Sequence, residues 1–125
     1  MKGRTFIKSF EDLEAFKKAY KASLEIHKVS LKFPAIEQNA IADQVRRASK
    51  SICANLAEGF AKQRYSAAEY KRFINIAIGS CDEMRVWLRY CLDLGYIDLK
   101  QWQVWRDAYQ EVAKMLVGLA NSGFK

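Results

Sequence analysis

Lysines recur at helical spacing in the N-terminal third of the chain. Lys17, Lys21, Lys28 and Lys32 fall within about 60° of one another on a helical wheel and form a stripe. Glu14 and Glu25 interrupt it three or four residues from neighbouring lysines, so part of it reads as ordinary ion-paired surface. In the next segment Arg46, Arg47 and Lys50 occupy the arc opposite an apolar seam, and Lys62 and Arg64 follow in a polar link. Cations in such numbers, without matching carboxylates, neutralise phosphates and release their counterions, which binds a polyanion without reading its bases.

Other chemistries find less support. His27 is the only histidine and falls in an apolar seam, the usual place of a hydrogen-bonded core or interface residue. Together with Cys53, Cys81 and Cys91 it has the composition of a zinc ligand set, yet no pair has the close local spacing of such sites, and no metal or cofactor is expected. Three cysteines without a CxxC pair read as reduced thiols of a cytoplasmic protein. Glu58 and Glu83 resemble an acid/base pair only in type. No Gly-rich loop, nucleophile elbow or phosphate loop supplies something for them to act on, so neither an enzyme nor a small-molecule substrate is expected. Asn55, Glu58, Ser80 and Glu83 lie at or near helix seams, where a polar group costs roughly 1–3 kcal/mol if left unpaired. They read as a structural polar network, with a partner-binding pocket as the sharper alternative.

The elements that must position these residues are helices. A chain of 125 residues, half apolar and with 28% charged, is the size of one domain, and 7 Phe, 6 Tyr and 3 Trp argue against disorder. One proline and six glycines are too few for a turn-rich β fold. No apolar run approaches the roughly 18 residues of a membrane span. Punctuation gives a single domain, 1–125, with helices at about 10–32, 36–61, 66–94 and 98–120. Pro34 closes the first, Ser66 and Glu69 form a capping box before the third, Gly95 ends it, and Asp98 caps the fourth. The excess of Lys and Arg (21) over Asp and Glu (14) sits in the first half: residues 1–33 carry +4 and 34–65 carry +2, against 0 and +1 in the remaining quarters.

Periodicity then assigns faces. Helix three repeats Tyr70, Ile74, Ala77, Cys81, Met84, Leu88 and Cys91; helix four repeats Trp102, Trp105, Tyr109, Val112, Leu116 and Leu119; helix two repeats Ile41, Val45, Ala48, Ile52 and Leu56. Short links and heptad-like seams predict an all-α, antiparallel up-down-up-down four-helix bundle. Helix one carries two seams. Leu13, Phe16, Tyr20, Leu24, His27 and Leu31 form one, read as core; Ala15, Ala19, Ala22, Ile26, Val29 and Phe33 form the other, read as a subunit interface. Trp87 and Tyr90, about 100° from the main seam of helix three, extend that expectation of a homo-oligomer.

The stretch Gln44-Val45-Arg46-Arg47-Ala48-Ser49-Lys50-Ser51-Ile52-Cys53-Ala54-Asn55-Leu56-Ala57-Glu58-Gly59-Phe60 resembles the motif of bacterial four-helix-bundle proteins first described as encoded by intervening sequences within 23S ribosomal RNA genes. Ser9-Phe10-Glu11-Asp12-Leu13 is similar to that family's opening, Asn75-Ile76-Ala77-Ile78-Gly79-Ser80 with Glu83 to its third-helix signature, and Leu94-Gly95-Tyr96-Ile97 and Lys114-Met115-Leu116-Val117-Gly118-Leu119 to its later segments. Cys53 stands where the family commonly has proline. Arg85-Val86-Trp87-Leu88-Arg89-Tyr90 looks more like the accessory variability determinant proteins of diversity-generating retroelements.

The resemblance implies a homopentameric barrel of four-helix bundles. In the retroelement branch it also implies a basic surface that binds nucleic acid and docks a reverse transcriptase, with no catalytic residues of its own. The resulting expectation is a non-catalytic oligomeric scaffold for RNA or DNA and a reverse transcriptase. The other reading is a protein-interaction module with no nucleic-acid role. A helix-turn-helix reader of base sequence is not expected, since neither its short turn nor its polar recognition face is present.

Overall fold

The computed structural model describes residues 7–122. Four α-helices, α1 (Glu14–Ser30), α2 (Ile41–Lys62), α3 (Ala67–Asp93) and α4 (Leu99–Ser122), are joined by short links, and no strand occurs among the described residues. Each helix packs on the next and α4 closes back on α1, while the diagonal pairs α1/α3 and α2/α4 make no comparable contact. Registry shows neighbours running antiparallel. Lys18 and Glu25 of α1 meet Glu111 and Trp105 of α4, and Ser51 and Gly59 of α2 face Ser80 and Ile74 of α3.

The punctuation residues act largely as their chemistry dictates. Ser66 Oγ accepts from the backbone N–H of Glu69 at 3.1 Å, whereas the Glu69 carboxylate turns to Arg72 instead of completing the capping box. At the other end of α3, Gly95 takes φ +81° while its N–H donates to Leu92 O and that of Tyr96 donates to Cys91 O, a glycine-dependent Schellman closure. Asp98 and Gln101 cap α4 reciprocally, side chain to backbone, at 2.7 and 2.9 Å.

The first two helices begin later than spacing predicts. Ser9 and Asp12 form their capping box on a separate 3-10 turn, Phe10–Asp12, and extended backbone at Leu13 (φ −74°, ψ 133°) divides that turn from α1. A second 3-10 turn, Ala35–Glu37, follows Pro34, and Ala40 (φ −124°, ψ −109°) interrupts the backbone before α2.

The expected seams of α2 and α3 are fully in the core, as is that of α4 apart from half-buried Trp102 and Leu119. On α1 the two seams largely exchange roles, although Leu13 is buried as expected and Phe16 packs against the core. Ala15, Ala19, Ala22 and Ile26, expected at a subunit interface, are 0–4% exposed inside the monomer, with Val29 half-buried beside them. Tyr20, Leu24 and Leu31, expected in the core, are 50%, 44% and 59% exposed. The reason is steric. α1 sits between α2 and α4, and the arc that faces both must be small for the axes to approach. Trp87 is half-buried and Tyr90 exposed on the outer face of α3. No helix of the described residues is long and apolar enough to cross a membrane.

Candidate nucleic-acid interface

The expected cations do not share one surface. Lys17, Lys21 and Lys28 project from α1 opposite its core face, and Lys32 lies exposed just beyond the helix end. Lys17 has Glu14 at 3.5 Å; among the described residues Lys21, Lys28 and Lys32 have no carboxylate within ion-pair distance. Lys28 also sits in the last turn of α1, where the helix dipole favours positive charge. Arg47 faces the α2/α3 side, pairs with Asp43 at 3.6 Å and shares a shallow hollow with Gln44, Ser51 and Glu83. Lys62 and Arg64 lie near the α2/α3 link, Arg64 beside Ile7, Lys8 and Tyr65.

Arg46 is drawn into the connection between α1 and α2. Its guanidinium turns inward: Nη1 donates to Ser30 Oγ at 2.8 Å and to Gln38 Oε1 at 3.3 Å, and Nη2 donates to the Gln38 carbonyl at 3.0 Å. Gln38 in turn donates to the carbonyls of Ser30 and Phe33 at 2.9 and 3.0 Å. These bonds satisfy carbonyls that the end of α1 leaves without helical partners. A side chain so engaged holds the α1–α2 connection.

One turn further along α2, Lys50 Nζ lies 2.9 Å from His27 Nδ1 and 3.4 Å from the Arg46 carbonyl. The Lys50 ammonium is the main cause holding the imidazole below its ordinary range, followed by burial and Arg46; the imidazole is then neutral near pH 7 and accepts from Lys50. Burial, then Arg46, lowers Lys50 as well.

The Lys50–His27 pair closes one end of a groove of about 550 Å³ between α1 and α2. Phe10, Phe16, Tyr20, Leu24, Cys53, Ala54 and Ala57 line it, with no Asp or Glu among the lining residues. The Tyr20 ring stacks on Phe16 (centroids 5.6 Å, 14° between planes), and Phe16 meets Phe10 edge-on at 5.0 Å. Assigning Phe16, Tyr20 and Leu24 to the core concealed this groove. Its visible signal was the i, i+4 aromatic pair beside the lysine stripe.

The expected polar network forms in part. Asn55 Nδ2 donates to the Ser51 carbonyl and hydroxyl at 2.8 and 3.0 Å, and Ser51 Oγ bonds Ser80 Oγ at 3.0 Å across α2 and α3. Ser51 is the link that spacing did not reveal. Glu83 instead accepts from Trp87 Nε1 at 2.9 Å on the same helix, and Glu58 is exposed outside the network. A second hydroxyl pair, Ser23–Ser49 at 2.9 Å, joins α1 and α2 in the interior. Burial pushes Cys53 up to about 11 and Cys81 and Cys91 up to about 12, so all three are thiols at neutral pH. Among the described residues no group of three or more His, Cys, Asp or Glu could hold a metal ion.

Residues 11–118 match the family model described as 23S rRNA-intervening sequence protein. The chain belongs to that family. The crystal structure of a protein of unknown function from the S23 ribosomal protein family of Bacteroides thetaiotaomicron is similar, with 25% identity and a TM-score of 0.74 over 86% of this chain and 96% of that one. No curated protein matches the sequence. This 23S rRNA-intervening sequence protein therefore shares its fold with that neighbour, whose function is unknown.

Proposed function

We propose that this intervening-sequence family member is a non-catalytic helical scaffold that binds RNA or DNA through the phosphate backbone, assembles as a homo-oligomer, with five copies as the implied number, and serves a reverse transcriptase as an accessory factor. The observation that carries the nucleic-acid part is Lys21, Lys28 and Lys50 on one side of the molecule, none with a carboxylate partner, beside a groove whose lining contains no acid. Phosphates are the groups such a surface lacks, and repetition around an oligomer multiplies weak contacts into avidity. The outer face of α3, where Val86, Tyr90 and Leu94 are all more than half exposed, supports self-association. The kinship with accessory variability determinant proteins rests on the Arg85–Tyr90 segment and belongs to the same reading.

Charge reversal of Lys17, Lys21, Lys28 and Lys50 to Glu tests it, with Arg46 left intact because it holds α1 to α2. The reversed protein should lose binding to random RNA in a filter assay while keeping its helicity, and wild-type affinity should fall steeply between low and high salt. Undiminished, salt-sensitive binding by the variant refutes the assigned surface. The same exposed α3 face favours a second reading, a protein-interaction module without nucleic acid, which requires that wild type show no salt-dependent RNA binding.

A further inference from the structure

The groove between α1 and α2 combines three properties. Its wall is flat and aromatic: Tyr20, half exposed, is held parallel to Phe16, which Phe10 braces edge-on. Its floor is kept open by small side chains, Ala54 and Ala57 of α2. Its border is cationic, with Lys50 at one end and Lys21 and Lys17 beside Tyr20 along α1; no carboxylate lines the groove, and the one at this border is Glu14, exposed and paired with Lys17 at 3.5 Å. An apolar protein segment or an alkyl chain has use for the wall and floor but leaves the cations unanswered. A double helix answers the cations, yet its base faces are covered by their stacked neighbours and cannot reach the wall. A flat, uncharged ring on an anionic tether answers both.

We propose that this groove is a binding site for single-stranded nucleic acid, in which an unpaired base stacks on Tyr20 over the Phe16–Phe10 pair while the adjacent phosphates lie against Lys50, Lys21 and Lys17. Stacking of this kind tolerates any base, because every base has a π face, and so gives strand-type selectivity without sequence specificity. His27 lies at the same end as Lys50. Its neutral ring, accepting from Lys50 at Nδ1, carries its proton on Nε2 and offers that N–H to a phosphate or a base edge. The site rests on the phosphate-binding reading above and adds to it a preference that phosphate contacts alone do not produce.

Fluorescence anisotropy with a labelled twelve-nucleotide single-stranded RNA, and with the same strand annealed to its complement, tests the proposal on the full-length protein at two salt concentrations. Wild type should bind the single strand at least tenfold more tightly than the duplex. Tyr20→Ser should weaken single-strand binding roughly 5- to 150-fold, the range for loss of one stacked base, while leaving duplex binding and the salt dependence of both as in wild type. Tyr20→Phe should restore the affinity, and an abasic strand should bind wild type no better than it binds Tyr20→Ser. Tyr20 is half exposed, and a circular-dichroism melt should show both variants folded. Equal affinity of wild type for single strand and duplex, or full single-strand affinity in Tyr20→Ser, overturns the stacking site and leaves the phosphate surface standing. Absence of binding to either RNA by wild type overturns both.

Discussion

Arg46 of α2 donates to the hydroxyl of Ser30 in the last turn of α1, at 2.8 Å, and that hydroxyl donates in turn to the His27 carbonyl at 2.7 Å. Through Gln38 the same guanidinium is tied to the carbonyls that follow, so one side chain fastens the end of one helix to the start of the next. Replacement by an apolar residue of similar length leaves several partly buried polar groups unpaired. Arg46→Met should therefore cost about 1–3 kcal/mol in urea unfolding. Arg46→Lys should recover little of this, because an ammonium cannot span the planar fork of acceptors. Arg47→Met, which removes an exposed i, i+4 pair with Asp43, should stay within about 0.5 kcal/mol of wild type. Equal stability of the Arg46 and Arg47 variants would remove the strut from the account.

Two glycines make a paired prediction. Gly59 is buried in α2 against α3, and a Cβ built there would meet Ile74 Cδ1 at 3.1 Å, Phe73 Cβ at 3.3 Å and the Tyr70 carbonyl at 3.4 Å. Ile74 is itself fully buried, and the Phe73 and Tyr70 atoms cannot move without moving α3. Overpacking of roughly 1–3 kcal/mol then outweighs the gain of about 1 kcal/mol in helix propensity, and Gly59→Ala should lower the melting temperature. Gly118 of α4 is exposed with nothing within 4 Å of a built Cβ, so Gly118→Ala should raise stability by about 0.5–1 kcal/mol. Opposite signs in thermal melts are the expected outcome; a stabilised Gly59→Ala contradicts the close α2–α3 approach.

His27 provides a third test, since a single histidine gives one imidazole titration by nuclear magnetic resonance. Lys50, then burial, then Arg46 hold its midpoint below 6.5 in the folded protein. The unfolded chain takes up the proton first as pH falls, so this residue's contribution to stability is constant above about 6.5 and declines as pH drops from there through the folded midpoint. Lys50→Met removes the largest cause and should move the midpoint back toward 6.5. An unmoved midpoint in that variant would place the cause elsewhere.

Helices α2, α3 and α4 were legible as core-facing elements because each carries one dominant apolar arc, and a single arc has only one way to be buried. Ser66, Gly95 and Asp98 were legible because caps act within a few residues of chain, where spacing is structure. On α1, hydropathy ranks Leu, Phe and Tyr above Ala. Burial there was decided by how closely α2 and α4 approach, which small side chains permit and hydropathy does not rank, and the alanine arc went inside.

The charges divide in the same way. That positive residues gather in the first half of the chain is a property of the sequence. Which of them remain available to a partner depends in part on groups that another helix brings: Ser30 of α1 binds Arg46, and His27 of α1 meets Lys50 at the mouth of a groove, whereas Asp43 reaches Arg47 within α2 itself. Local spacing determined the helices and the sign of their faces, because the interactions responsible span one turn. The groove and the cations left unpaired beside it arise from contacts between helices, whose partners packing alone selects.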